Sequence, residues 1–156
     1  MSRMTDMAFT LKSTAFKDGE SIPAKHTFDG DDVSPFLEIK NPPEGTVTFA
    51  LIVDDPDATR GVPFDHWLLW NIPPNTQYIS EDSIPQGAVQ GTNDLGTAKW
   101  GGPCPPSGDA AHRYVFTLYA LDAAVALSTG ATKEELIKLM EGHILGKAEL
   151  VGLYGR

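Results

Sequence analysis

Apolar residues in this chain fall in short bursts, and clusters of Gly, Pro, Asn and Asp close them, the signature of strands joined by turns. Phe9 to Thr14 predicts a first short strand, followed by charged turn formers at Lys17-Asp18-Gly19-Glu20 and Phe28-Asp29-Gly30-Asp31-Asp32. Leu37-Glu38-Ile39 alternates up to the turn Asn41-Pro42-Pro43-Glu44-Gly45, and Thr46 to Val53 supplies a β-branched, apolar strand ending at Asp54-Asp55-Pro56-Asp57. His66-Trp67-Leu68-Leu69-Trp70 is too short for a helix, rich in strand-favouring aromatics and closed by Asn71-Ile72-Pro73-Pro74, which predicts a buried strand.

Residues 80 to 111 carry repeated Gly, Pro, Asn and Asp, including Gly101-Gly102-Pro103-Cys104-Pro105-Pro106-Ser107-Gly108; this long loop has to be held by the body of the fold or become disordered. Arg113 to Leu121 predicts a strand with Tyr114, Phe116, Leu118 and Ala120 on one face and Val115, Thr117, Tyr119 and Leu121 on the other. Both faces are largely apolar, which places it between two layers. Thr132 and Glu135 form a capping box ahead of a short helix whose face continues through Leu136, Leu139, Met140 and His143, and Glu149 to Tyr154 reads as a terminal strand. The expected fold is all-β with one or two short helices, in a single domain spanning 1–156, with no internal repeat or linker.

Composition narrows the picture. A chain of 156 residues that is 41% apolar suits one domain with a substantial core. The formal net charge of -9 opposes attraction to nucleic acid or an anionic bilayer while leaving room for a local anion pocket. Cys104 is the only cysteine, so no intrachain disulfide forms, and the start Met1-Ser2-Arg3-Met4-Thr5-Asp6 leads into no unbroken apolar stretch; both favour a cytoplasmic setting. No window approaches the roughly 18 to 20 apolar residues of a membrane span, which argues against integral membrane association and leaves peripheral headgroup contact open.

The chemistry-bearing residues gather at the strand ends. Asp55 and Asp57 bracket Pro56, whose rigid backbone can turn one carboxylate inward while the other accepts backbone N–H groups. His66 opens an apolar strand and can bring an imidazole to the same end, although a satisfied core histidine is an equally good reading of it alone. His112 and Tyr114 share one face of their strand and can flank one ligand, with Arg113 on the opposite parity and suited to pairing with Asp55 or Asp57; a core hydrogen bond is the structural reading of Tyr114. Asp55 with two histidines is weak as a metal triad, Ser107 and Cys104 lack an evident base, and acid–base chemistry by His66 and His112 has no identified reaction. The glycine-rich loop lacks the Gly-Lys-Ser/Thr ending of a P-loop, and Trp67, Trp70 and Trp100 read as packing groups.

Taken in order, Asp54-Asp55-Pro56-Asp57-Ala58, Asp65-His66-Trp67, Gly102-Pro103-Cys104-Pro105-Pro106 and His112-Arg113-Tyr114 resemble the phosphatidylethanolamine-binding protein family, in its short bacterial and archaeal branch of Raf kinase inhibitor-like proteins. The resemblance runs from about Phe9 to Tyr154. It implies an antiparallel β-sandwich with an anion pocket built from Asp55, His66, Pro106, His112 and Tyr114, supported by Asp57, Gly102 and Arg113. The loop at Pro103-Cys104-Pro105-Pro106 is longer than in many eukaryotic relatives, and the final segment is short, so no C-terminal helix flanking the pocket is assumed. The expected role is a non-catalytic module for a small anion or a phosphorylated, phosphoethanolamine-like ligand, with no cofactor or metal. The alternative is a regulatory inhibitor that engages a protease or kinase through exposed loops, and hydrolysis ranks third; a homodimer is compatible with the sequence.

Overall fold

The computed structural model describes residues 8–156. In chain order the strands are β1 (Thr10–Lys12), β2 (Glu20–Ser21), β3 (Leu37–Lys40), β4 (Thr48–Asp55), β5 (Phe64–Ile72), β6 (Tyr78–Ile79), β7 (Val89–Gln90), β8 (His112–Leu121) and β9 (Ile144–Tyr154), with one α-helix, α1 (Lys133–Met140), and a 3-10 turn at Ala24–His26. They build a six-stranded sheet, β2-β9-β8-β4-β5-β7, and a three-stranded sheet, β1-β3-β6. Every pairing is antiparallel except β2 with β9. The architecture is the expected β-sandwich.

The apolar runs of β4, β5 and β8 are buried on both faces. Phe49, Leu51 and Val53, Trp67 and Leu69, and Tyr114, Phe116 and Leu118 pack with Leu11, Leu37, Ile39 and Ile79 of the small sheet. On the opposite face Ala50, Ile52, Leu68, Trp70 and Leu121 meet Leu136 and Met140 of α1. The two-faced character of β8 thus has the origin its sequence indicates: a central strand between two layers. All three tryptophans are buried packing groups.

Several boundaries differ from the sequence expectations. The first strand shortens to Thr10–Lys12, and β4 starts two residues late but carries its ladder through Asp55. The final strand begins at Ile144 rather than Glu149, because β8 finds a partner along its whole length, from Leu121↔Ile144 to His112↔Tyr154. The capping box at Thr132 and Glu135 forms, but the helix stops at Met140, before Gly142 at φ 80° turns the chain into the left-handed region that ends helices. His143 therefore lies beyond the helix, bonded to Asp122 Oδ1 at 2.7 Å, and Leu139 faces solvent.

The long loop is held by the fold. Buried Asn93 acts as its hub: Oδ1 accepts from the backbone N–H groups of Leu95 and Thr97, both at 3.0 Å, and Nδ2 donates to the Lys99 carbonyl at 2.8 Å. Trp100 then plugs the loop into the core, edge-on to Trp67 and stacked on Phe116.

Candidate functional site

Strand parity alone would send His66 to the helix side, since Leu68 and Trp70 face that way. A β-bulge changes this. Val53 pairs with Trp67 but Asp54 pairs with Asp65, so β5 spends one extra residue, His66, at this point. Asp54 keeps its place on the helix side and the bulge brings Asp65 there as well, where Lys133 Nζ of α1 donates to them at 3.1 and 2.8 Å. Asp55, which keeps the parity of Val53, and His66, which the bulge turns, face the other side. The His66 carbonyl, freed from the ladder, accepts from Gly101 N at 3.1 Å and Asn93 Nδ2 at 3.3 Å.

Asp55, His66, Gly102, Pro106 and Tyr114 line one cavity of about 490 Å³. Its two histidines differ in electrostatic state. His66 Nδ1 lies 2.6 Å from the Gly101 carbonyl; a carbonyl only accepts, so Nδ1 carries the proton. Burial lowers the His66 pKa, and the Gly101 bond and nearby carboxylates offset this only in part. The ring is neutral at neutral pH and Nε2 is an acceptor. His112 has Asp55 Oδ2 at 2.7 Å from Nδ1 and Asp109 Oδ2 at 3.2 Å from Nε2. Burial opposes its charge most strongly, but the bonds to Asp55 and Asp109 together outweigh burial and raise its pKa. Burial, followed by the Asp55 charge, pushes the Tyr114 phenol up, so Tyr114 remains a hydrogen-bond donor.

Asp57 and Arg113 pair with each other and are not among the lining residues of the cavity. Arg113 grips Asp57 through Nε at 3.0 Å and Nη2 at 2.8 Å, and its backbone N–H adds a third bond at 2.9 Å. The side-chain bond, then the backbone bond, hold the Asp57 carboxyl down at about 2, against 3.8 ordinarily. The pair's stabilising contribution is therefore present above pH 3.8 and is lost as pH falls toward 2. Replacing Arg113 with alanine is expected to return the Asp57 pKa part of the way to 3.8, the backbone bond remaining; an unchanged carboxyl titration by NMR would contradict this.

The expected residues thus divide into two shells. Asp55, His66, Pro106 and Tyr114 share the cavity with Gly102, whereas His112 is not among the lining residues and has both nitrogens engaged by carboxylates, one of them Asp55. Asp57, not Asp55, is the partner of Arg113. Tyr114 has no hydrogen bond to another side chain or carbonyl among the described residues, contrary to a core-closing role. Sequence reasoning missed Asp32, which accepts the Gly102 N–H at 2.8 Å, and the apolar wall of Phe28, Phe64 and Leu95. It also missed Arg156, whose Nη1 lies 3.5 Å from Cys104 Sγ and from the Pro105 carbonyl at the mouth. Apart from Phe64 at the start of β5, these are loop or terminal residues joined over long separations, and local patterns carry no signal for them.

The sequence profile described as phosphatidylethanolamine-binding protein matches residues 12–155. The chain belongs to this family. A UPF0098 protein of Methanothermobacter thermautotrophicus is 48% identical over 151 residues, covering 94% of this chain and 98% of that one. Among solved structures, the phosphatidylethanolamine-binding protein homologue CT736 from Chlamydia trachomatis superposes with a TM-score of 0.90 at 38% identity, covering 96% of this chain and 99% of that chain. YbcL from E. coli, described as a new member of the mammalian family, also has a TM-score of 0.90, at 34% identity over 95% of this chain and 98% of that chain. Carboxypeptidase Y inhibitor, solved with its cognate proteinase, shares the fold at a TM-score of 0.52 and 19% identity, covering 78% of this chain and 70% of that chain.

Proposed function

We propose that this domain is a non-catalytic binding module whose cavity takes a small phosphorylated ligand, with free phosphate or a phosphoethanolamine-like headgroup as the minimal form. The observation that carries the reading is the pairing of His66 and Tyr114, whose rings meet edge to face with centroids 5.3 Å apart. His66 Nε2 supplies an acceptor and Tyr114 Oη a donor. A singly protonated phosphate presents the matching P–OH and P–O groups, with the Asp55–His112 pair alongside. Membership of a family named for a phospholipid whose headgroup is phosphoethanolamine supports the same ligand chemistry. The lone cysteine, Cys104, suits the reducing cytoplasm, and among the described residues no helix is long and apolar enough to cross a membrane.

The test is an amide NMR titration with phosphate and with phosphoethanolamine. Saturable shifts at Asp55, His66, Gly102 and Tyr114 are expected, abolished in folded His66→Ala; shifts scattered over the surface would refute the pocket. Affinity for phosphate should fall from about pH 5.5 to about pH 8.5, as the ligand loses its P–OH and His112 its charge; a flat profile counts against the assignment. The two histidines should titrate on opposite sides of 6.5, His66 below and His112 above. By linkage, the raised His112 pKa stabilises the fold at pH values below 6.5 and that stabilisation fades as pH climbs through the folded pKa, whereas the lowered His66 pKa stabilises above 6.5 and its share fades on acidification.

A second reading rests on Phe28 and Leu95, which line the cavity yet are 63% and 59% exposed. Such an apolar rim suits a protease or kinase surface engaged through the loops. It requires protein binding that survives His66→Ala. Turnover lost with either histidine would instead mark an enzyme.

A further inference from the structure

Granting the phosphate reading, one carboxylate near the pocket is out of place. His112 has two ring nitrogens, and each faces an aspartate, Asp55 from β4 and Asp109 from the loop before β8. Two carboxylates against one imidazolium leave one negative charge more than the ring balances. An anion site gains nothing from that excess, so the second carboxylate calls for its own explanation.

The two aspartates are not equivalent. Asp55 is buried, sits at the end of a central strand and is locked from both sides: Oδ2 on His112 at 2.7 Å and Oδ1 on the backbone N–H of Asp57 at 2.8 Å. It fixes the ring. The Asp109 side chain is 37% exposed and its bond to His112 is the longer, at 3.2 Å. It stands outside any strand, directly after Gly108 at φ 91°. Its backbone N–H donates to the Pro106 carbonyl at 3.3 Å, so the turn that carries this carboxylate is the turn whose proline lines the cavity. A ligand pressing on Pro106 therefore presses on the segment that holds Asp109 over His112.

We propose that Asp109 is an internal competitor for the pocket's anion: its carboxylate caps His112 Nε2 in the free protein, and a phosphate claims that N–H by displacing it. A carboxylate oxygen and a phosphate oxygen are alike as acceptors of a charge-assisted hydrogen bond. Exchange of one for the other preserves the local charge balance, whereas Asp55 stays in place to hold the ring. The device sets a threshold. Ligands offering a single weak acceptor fail to displace a tethered carboxylate, and a phosphate, with further contacts to His66 and Tyr114, succeeds. Asp109 is thus a specificity-determining residue that acts from outside the cavity wall.

The experiment is calorimetric titration of the full chain with inorganic phosphate, comparing the wild type with Asp109→Asn, Asp109→Ala and Glu44→Gln. Glu44 is exposed in a distant turn, so its variant removes the same charge without touching the site. Both Asp109 variants are expected to bind phosphate roughly fivefold more tightly than the wild type, the scale of one exposed ion pair, with Glu44→Gln unchanged. The near-isosteric asparagine keeps the test valid should the alanine variant fold poorly. If the wild type binds phosphate and the Asp109 variants bind no more tightly, the competitor is refuted while the pocket stands. Equal tightening in Glu44→Gln also refutes it, since bulk charge would then be the cause. Binding by none of the four proteins overturns both the competitor and the phosphate pocket, and binding by the Asp109 variants alone supports both.

Discussion

Replacing Phe116 with alanine is expected to destabilise the domain by about 3 to 5 kcal/mol and to loosen the pocket in the same step. Phe116 is fully buried in the middle of β8, with Phe16 at 5.8 Å and Trp100 at 5.9 Å between ring centroids. The strands on either side, β4 and β9, are paired to it along the ladder, so the surroundings cannot close on the space that a lost ring leaves. Trp100, like Phe16, arrives on a loop and can respond, and it is the one tied to the site. Its indole N–H donates to the His26 carbonyl at 3.1 Å, and the next residue, Gly101, both orients His66 Nδ1 and captures the His66 carbonyl. Motion of Trp100 thus reaches the bulge that aims His66. Urea unfolding should show a large drop in midpoint with an unchanged slope, and the His66 ring resonances should shift. A loss below about 1 kcal/mol would mean that Trp100 refills the site and that the core is softer than its packing indicates.

How much of this was readable before the fold depends on the range of the interaction concerned. Parity is local, and it placed Tyr114 and Arg113 on opposite faces and identified β8 as an interior strand; the equally local Thr-x-x-Glu spacing located the capping box at Thr132 and Glu135. Parity also fails where a remote group intervenes. The bulge at His66 depends on Gly101 and Asn93, some thirty residues downstream, competing for one carbonyl, and no pattern within 64–72 announces it. Asp54 and Asp55, adjacent in sequence and turned to opposite faces, follow parity, but the partners that use them are remote: Lys133 for the first and His112 for the second. The ordered motifs of the family pointed to the pocket, but only the folded loops show that His112 is held between Asp55 and Asp109, one on each ring nitrogen.

The second large effect is expected at Gly102. Alanine here is expected to cost about 3 kcal/mol, at the upper end for overpacking, and to abolish phosphate binding. An added Cβ would collide with Asp32 Oδ1 and the His26 carbonyl and lie 3.0 Å from Thr27 Cα. None of these can give way cheaply. The His26 carbonyl already accepts from Trp100, Thr27 is buried, and the Asp32 carboxylate is itself bonded to the Gly102 N–H. The strain must instead part the segment 100–103 from 26–32, which are zipped by a further bond from Phe28 N to the Pro103 carbonyl at 3.0 Å. That seam carries Phe28, Asp32, Gly102 and, just beyond, Pro106, so opening it spreads one side of the cavity. The neighbouring Gly101→Ala is the control: its Cβ meets Leu95 Cδ1 at 2.5 Å, on an exposed side chain that can rotate away, and approaches buried Asn93 Nδ2 only to 3.1 Å. Gly102→Ala should therefore unfold at clearly lower urea than Gly101→Ala and show no saturable phosphate shifts. Equal stability in the two variants would mean that the seam yields without resistance and that close backbone approach at Gly102 does not shape the pocket.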